Sequence, residues 1–352
     1  MYKFCEQVSK YHPDKVADQI SDAIFQEYYK NDKECKCNIE TMVSGKTVIV
    51  SGNATSSYSM TVYTVNDIIH TVMKSLNYEV DKILNYITPQ STQINKAVVQ
   101  NNKVMAGDQG IVVGYYNKST IHGLPPEMEY CNNIIYNIEQ QIEQDTQCPL
   151  KGDAKVLVVY DDYNGIKYNN PKYNKVKHIT ISVCHKEQYS LNYIKEYINK
   201  YIYTKIDNAT ISINPGGVWT IGGPVADNGL TGRKIVCDNY GPRIPVGGGC
   251  FSGKDFSKID RSGAYMARYL AKEVCTDYDI KECTITAGYE IGNNNVLYYN
   301  IIGDDKDITD MFVGFNDLME VNNAIKYCND LVKDVDLVKL SAGCHFRGIL
   351  DI

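Results

Sequence analysis

The sequence predicts an α+β protein of three similar units, each a small sheet with helices on one face. Length is the first reason: 352 residues exceed the usual range of one hydrophobic core, so two or three domains are expected. The second is a recurrence of strand pairs followed by a helix, three times along the chain, with boundaries near residues 113 and 228. The expected units are therefore 1–113, with a mobile loop over about 90–106, then 114–228 and 229–352. No literal repeat accompanies the recurrence.

The first helix is announced by the stripe Val16, Ile20, Ala23, Ile24 and Tyr28, with Pro13 suited to the first turn. A strand over 46–52 (KTVIVSG) and a helix over about 67–76 follow. Residues 89–110 lack a sustained period and read as a long loop, either a lid or surface decoration. Strands over 155–160 (KVLVVY) and 178–184 (HITISVC) flank a DDYNG turn. A helix striped by Leu191, Ile194, Ile198 and Ile202 leads to a strand over 210–213. Ser257 and Asp260, three apart, predict a capping box for a helix through Tyr265, Leu270 and Val274. Strands over 283–291 and 296–302 and a helix near 317–332 close the chain.

Acidic residues outnumber Lys and Arg by 42 to 36, a formal charge of −6, and no basic run is present. Nucleic acid is therefore not an expected partner, and phosphate affinity must be local. No apolar run reaches transmembrane length, so no membrane partner is expected. The twelve cysteines include no C-x-x-C pair. The opening MYKFCEQ carries no signal-peptide core, which makes a reducing cytoplasm the expected location.

Four constellations can carry chemistry. In Tyr11-His-Pro-Asp-Lys15, Asp14 suits Mg²⁺, while His12 and Lys15 would face phosphate-ester oxygens. The bland alternative is a solvated first turn capped by His12. Ala106-Gly-Asp-Gln-Gly110 is either a bare turn or a place where Asp108 meets sugar hydroxyls or an ammonium. The glycine-rich GGPVADNGLTGRK surrounds Asp227 and ends on Arg233 and Lys234, a paired cation site or plain surface charge.

The fourth, GGGCFSGKDFSKIDRS, comes within one residue of a P-loop, but Asp255 stands where Ser or Thr is needed. Two prolines in the preceding 238–245 argue against the buried strand such a loop follows. What remains is Lys254 and Lys258 one turn apart, then Asp260 and Arg261, an arrangement suited to a metal-bound polyphosphate. No nucleophile elbow or thiol-enzyme pattern is found, so positioning and electrostatics are the favoured means of catalysis.

In order and spacing, HPDK with ADQISDA, AGDQG, GGP-x-x-D-x-GLTGRK and GGG-x-FSGKD-x-SK-x-DRS resemble the S-adenosylmethionine synthetase family over almost the whole chain. The resemblance implies three intertwined α/β domains with pseudo-threefold symmetry. It also implies a homodimer with shared active sites, alone or paired into a tetramer. The implied substrates are ATP and L-methionine, with two Mg²⁺ per site and K⁺. The implied reaction is attack of the methionine sulfur on C5′ of ATP, then hydrolysis of the released triphosphate to phosphate and diphosphate.

By the same resemblance, His12 assists cleavage of the C5′–O bond, Asp14 and Asp260 hold Mg²⁺, and Glu40 holds K⁺. Lys15, Arg233, Lys234, Lys254 and Lys258 surround the triphosphate. Lys155 lies near the reacting oxygen and Asp153 toward the nucleoside, while Gln90, Asp108 and Asp227 serve methionine and ribose. Three residues depart from the family pattern: Asn53 replaces a glutamate expected to face the ammonium of methionine, Gln93 replaces a loop aspartate, and Tyr11 a glycine. The lid region is also shorter. A relative acting on another thioether or only cleaving triphosphate, and a noncatalytic regulatory homologue, are the alternatives.

Overall fold

A computed structural model describes residues 1–90, 99–100, 103–161, 175–203, 209–350 and 352. Three four-stranded sheets organise it. The first is β11(Gly229–Leu230)-β2(Lys36–Ser44)-β3(Thr47–Thr55)-β4(Lys82–Thr88). The second is β1(Tyr2–Val8)-β8(Leu150–Asp161)-β9(Val176–His185)-β10(Thr210–Ile213). The third is β7(Gly110–Asn117)-β12(Glu282–Tyr289)-β13(Val296–Gly303)-β14(Lys306–Asp307). A two-stranded ribbon, β5(Val99–Gln100) with β6(Lys103–Val104), lies within the segment expected to be a long loop.

Each sheet is built on an antiparallel hairpin, β2–β3, β8–β9 or β12–β13. In the first two a helix then crosses over to a fourth strand parallel to the third: α2(Val62–Ser75) to β4, and α4(Leu191–Tyr201) to β10. The third sheet departs, since β14 turns back antiparallel and α8(Val321–Leu331) follows.

The units interlock. Strand β1 joins the second sheet, but the helix after it, α1(Pro13–Asn31), packs on β2 and β11 of the first. Strand β7 joins the third sheet, whereas α3(Pro126–Gln144) covers β1 and β8 of the second. Strand β11 joins the first sheet, and the helix beyond it, α6(Ile259–Asp277), covers β7 and β12 of the third. The handover closes on itself after three steps, which is the intertwined pseudo-threefold arrangement the resemblance implied.

Local sequence explains these elements. Pro13 fixes the first turn of α1, and Val16, Ala17, Ile20 and Ile24 form its buried stripe. Helix α3 carries the same device, Met128, Cys131, Ile134, Ile135 and Ile138, though the sequence reading passed over it. Helix α6 lies so close to β7 that a Cβ at Gly114 would stand 2.0 Å from the Ala267 carbonyl carbon. Strand β12 alternates half-buried and buried residues along its whole length.

The expected capping box does not form. Lys258 is the N-cap of α6 and no side chain caps it. Asp255 shapes the turn instead, accepting Ser257 N at 2.8 Å on its side chain and Lys258 N at 3.1 Å on its carbonyl. Its other carboxylate oxygen takes Cys37 N at 2.7 Å, fastening the turn to β2. Asp260 is thereby left free to meet Lys254. No strand leads directly into the Gly247–Gly249 run, residues 231–246 being turns and a short helix, in keeping with rejection of the P-loop.

All twelve cysteines are free thiols. Among the described residues, no helix is long and apolar enough to cross a membrane.

Candidate active site

His12 ends the β1–α1 connection and caps the helix, its Nδ1 accepting Asp14 N at 3.2 Å. Asp14, buried in the first turn, accepts Leu230 N at 3.0 Å on one oxygen and pairs with Lys234 through the other. The Arg233 guanidinium lies 3.7 Å from the same carboxylate and is half exposed. Such proximity is possible because β11 lies over the helix mouth: a Cβ at Gly229 would come within 2.0 Å of the Pro13 carbonyl oxygen.

Burial pushes the His12 imidazole down to about 4, helped by Lys234 and Lys155 and opposed by Asp14 and Asp227. His12 is therefore neutral at physiological pH, a ring able to share one proton without adding charge. Lys155, on β8, is half exposed and forms an ion pair with Glu6 at 2.9 Å. Asp227 is exposed and accepts the Asn228 amide at 2.8 Å.

A second group surrounds a cavity of about 220 Å³ whose lining includes Asn38, Asn53, Gln90, Asp108, Lys254, Lys258 and Asp260. Here Lys254 forms an ion pair with Asp260, and an isolated bridge to Asn38 ties its backbone to β2. Attraction from Cys250, Asp260 and Glu40 outweighs burial and raises the Lys254 ammonium above its ordinary value. Glu40 itself is exposed on β2. Asn53 donates from Nδ2 to Thr88 Oγ1 at 3.0 Å, so its amide oxygen remains to meet a ligand. Gln90 N is held by Thr55 Oγ1 at 3.0 Å.

Asp153 lines a larger cavity of about 800 Å³, with Tyr78, Lys151, Thr220, Ile221 and Gly222 on its walls. Burial lifts this carboxyl to about 6, the Gly223 N–H at 2.6 Å works against the shift, and Asp227 adds to it.

The structure thus gathers His12, Asp14, Arg233 and Lys234 at one helix mouth, and Gln90, Asp108, Lys254, Lys258 and Asp260 around one cavity. Lys15 is placed otherwise: its ammonium is fully buried between Asp18 and Asp238, not open to phosphate. Gln93 lies outside the described residues. The sequence reading missed Asn38, which no motif marks, and Tyr78, whose hydroxyl donates to Tyr11 O at 2.7 Å.

No cluster of three or more His, Cys, Asp or Glu suited to a metal occurs among the described residues. Single carboxylates beside lysines still fit Mg²⁺, which takes one or two carboxylates and completes its shell with water and phosphate oxygens.

Three family models cover the chain: the S-adenosylmethionine synthetase N-terminal domain over residues 1–102, the central domain over 103–219, and the C-terminal domain over 221–314. The S-adenosylmethionine synthase of Helicobacter acinonychis (strain Sheeba) is 36% identical over 301 residues, spanning 82% of this chain and 77% of the relative. That of Mycoplasmopsis synoviae (strain 53) is 37% identical over 298 residues, spanning 82% and 76%. An unusual S-adenosylmethionine synthetase from Campylobacter jejuni shares the fold, with a TM-score of 0.83 at 24% identity over 99% of this chain and 94% of that one. With every stretch that bears on the site lying inside one of these matches, the chain belongs to the S-adenosylmethionine synthetase family.

Proposed function

We propose that the protein joins ATP and L-methionine into S-adenosylmethionine, as a methionine adenosyltransferase, and hydrolyses the released triphosphate to phosphate and diphosphate. The observation that carries this reading is the pairing of a carboxylate with a lysine at two places, Asp14 with Lys234 and Lys254 with Asp260. Such pairs suit a polyphosphate that carries Mg²⁺, since each lysine would be available to phosphate oxygens and each carboxylate to the metal. Asp14 and Asp260 would hold Mg²⁺ and Glu40 K⁺. When bound, the metal neutralises charge on the departing triphosphate.

The chemistry needs no general base in its first step. A sulfur lone pair forms the S–C5′ bond as the C5′–O bond breaks, and that electron pair leaves on the triphosphate. Neutral His12 donates a hydrogen bond where the negative charge grows, while Arg233, Lys234, Lys254 and Lys258 hold the polyanion and Lys155 stands near the reacting oxygen. Asp153 and Asp227 orient the nucleoside, with Gln90 and Asp108 on the methionine side. Water then splits the triphosphate. None of His12, Asp14, Arg233 and Lys234 lines the Lys254 cavity, and a homodimer, alone or paired into a tetramer, would bring both groups to one substrate across its interface.

Asn53 supports a second reading, in which another thioether replaces methionine. An amide still accepts a hydrogen bond from an ammonium but lacks the opposite charge, so the contact is weaker than one to a carboxylate. Mass spectrometry of products from ATP and a panel of thioethers, with Mg²⁺ and K⁺, tests both. Methionine turned over best supports the first reading; another thioether preferred by a clear margin replaces it with the second. The absence of any adenosylated product rejects both.

A further inference from the structure

Helix α1 carries Asp14, Asp18 and Asp22 at four-residue intervals, all buried on one face. Each carboxylate accepts a backbone N–H from a glycine-rich loop: Leu230 at 3.0 Å, Gly232 at 2.9 Å and Gly253 at 2.8 Å, in that order. A cation assigned to the polyphosphate directly follows the second and third of these, Arg233 after Gly232 and Lys254 after Gly253.

The last rung is the most elaborate. Asp22 forms a two-pronged pair with the fully buried Arg261, at 2.8 and 3.0 Å. The same guanidinium donates to the Lys254 carbonyl oxygen at 3.1 Å. The Gly253 amide and the carbonyl of Lys254 itself are thus both held by one ion pair. On its far side the loop abuts β2, because a Cβ at Gly253 would meet the Ile39 carbonyl oxygen at 2.0 Å. The loop has no room to shift, and its φ of +77° at Gly253 suits only glycine.

We propose that Asp22 and Arg261 are a positioning pair that fixes Lys254 against the polyphosphate, although neither is assigned contact with a ligand. This rests on the S-adenosylmethionine synthetase reading of the site. A reacting group displaced by about 1 Å loses on the order of 10²-fold in rate, so a carboxylate buried behind the loop can act through the lysine it holds.

A double-mutant cycle tests the inference. Asp22→Asn keeps an acceptor for Gly253 but loses the charge facing Arg261, whereas Arg261→Lys keeps the charge but loses the fork that reaches Lys254. Each is combined with Lys254→Ala. Inorganic tripolyphosphate with Mg²⁺ is bound calorimetrically, kcat and KM for ATP are measured, and circular dichroism reports folding at the assay temperature.

The expected result is a loss of about 10–100-fold in tripolyphosphate affinity or kcat for each single variant. That loss shrinks below about twofold once Lys254 is already alanine, since residues acting through one group are not additive. Additive losses, or folded single variants that bind and turn over normally, overturn the positioning role. Should Asp22→Asn not fold, Arg261→Lys decides alone. An active wild-type protein with an additive cycle defeats only this inference, while a wild-type protein that neither makes S-adenosylmethionine nor binds tripolyphosphate defeats the functional reading and this inference together.

Discussion

His12 sits where burial and two lysines oppose protonation more strongly than Asp14 and Asp227 favour it. A folded value below the ordinary 6.5 means that protonation favours the unfolded chain. Its contribution to stability is therefore complete above about pH 6.5 and is lost as pH falls toward 4. An NMR titration of the ligand-free protein should give His12 a midpoint near 4, and a midpoint at 6.5 would contradict the buried, cation-flanked setting. Asp153 has the opposite sign. Its carboxyl, lifted from 3.8 to about 6, stabilises the fold only while protonated, so stability falls as pH rises through that interval. Asp153→Asn should raise stability at pH 8 by up to roughly 3 kcal/mol, with the gain vanishing below pH 4. Urea unfolding at both pH values checks this, and nucleotide affinity should fall in the same variant, as expected where a buried charge serves function.

At the scale of the element, the loop before α6 is anchored by backbone while its lysine lines the cavity beside Asp260. Lys254→Ala should lower turnover by about 10²–10³-fold, the usual cost of removing one donor aimed at a developing charge. The variant should still fold, because the loop is held through its backbone by Asp22, Arg261 and Ile39 rather than by this side chain. Thermal unfolding beside steady-state kinetics checks the pair of outcomes, and unchanged kinetics would remove Lys254 from the site. This loop also shows what the sequence can and cannot convey. Its lysines and Asp260 were legible from motif spacing, as was the stripe of α1. Asp255 was not, since its work is to hold Cys37 on β2, 218 positions away in the chain. The stripe of α3 was equally legible, with Pro126 in its first turn and Glu127 and Glu129 beside it, and was passed over although its signals match those of α1. Strands β1 and β4 mix polar and half-buried residues and lack the alternation that exposed β12. Lys15 shares a motif with His12 and Asp14 but points along α1 toward Asp18 and Asp238, a direction that spacing alone does not fix.

Across the whole molecule, each strand–helix unit contributes to two sheets, so no sheet is complete without chain from another third of the sequence. Unfolding should therefore be one transition, with far-ultraviolet circular dichroism and tyrosine fluorescence changing together in urea. Separate midpoints would show that the units melt independently. The same interlocking fixes each of the two groups of residues assigned to the reaction, and what decides their role is what happens to ATP. Attack of sulfur on C5′ removes all three phosphates in one step, whereas an ordinary phosphohydrolase cuts between them. The most direct measurement is the product balance from ATP and methionine with Mg²⁺ and K⁺, by ³¹P NMR and mass spectrometry. S-adenosylmethionine, phosphate and diphosphate should appear in equal amounts with no ADP; accumulation of ADP without S-adenosylmethionine, across an ample range of methionine, would contradict the account.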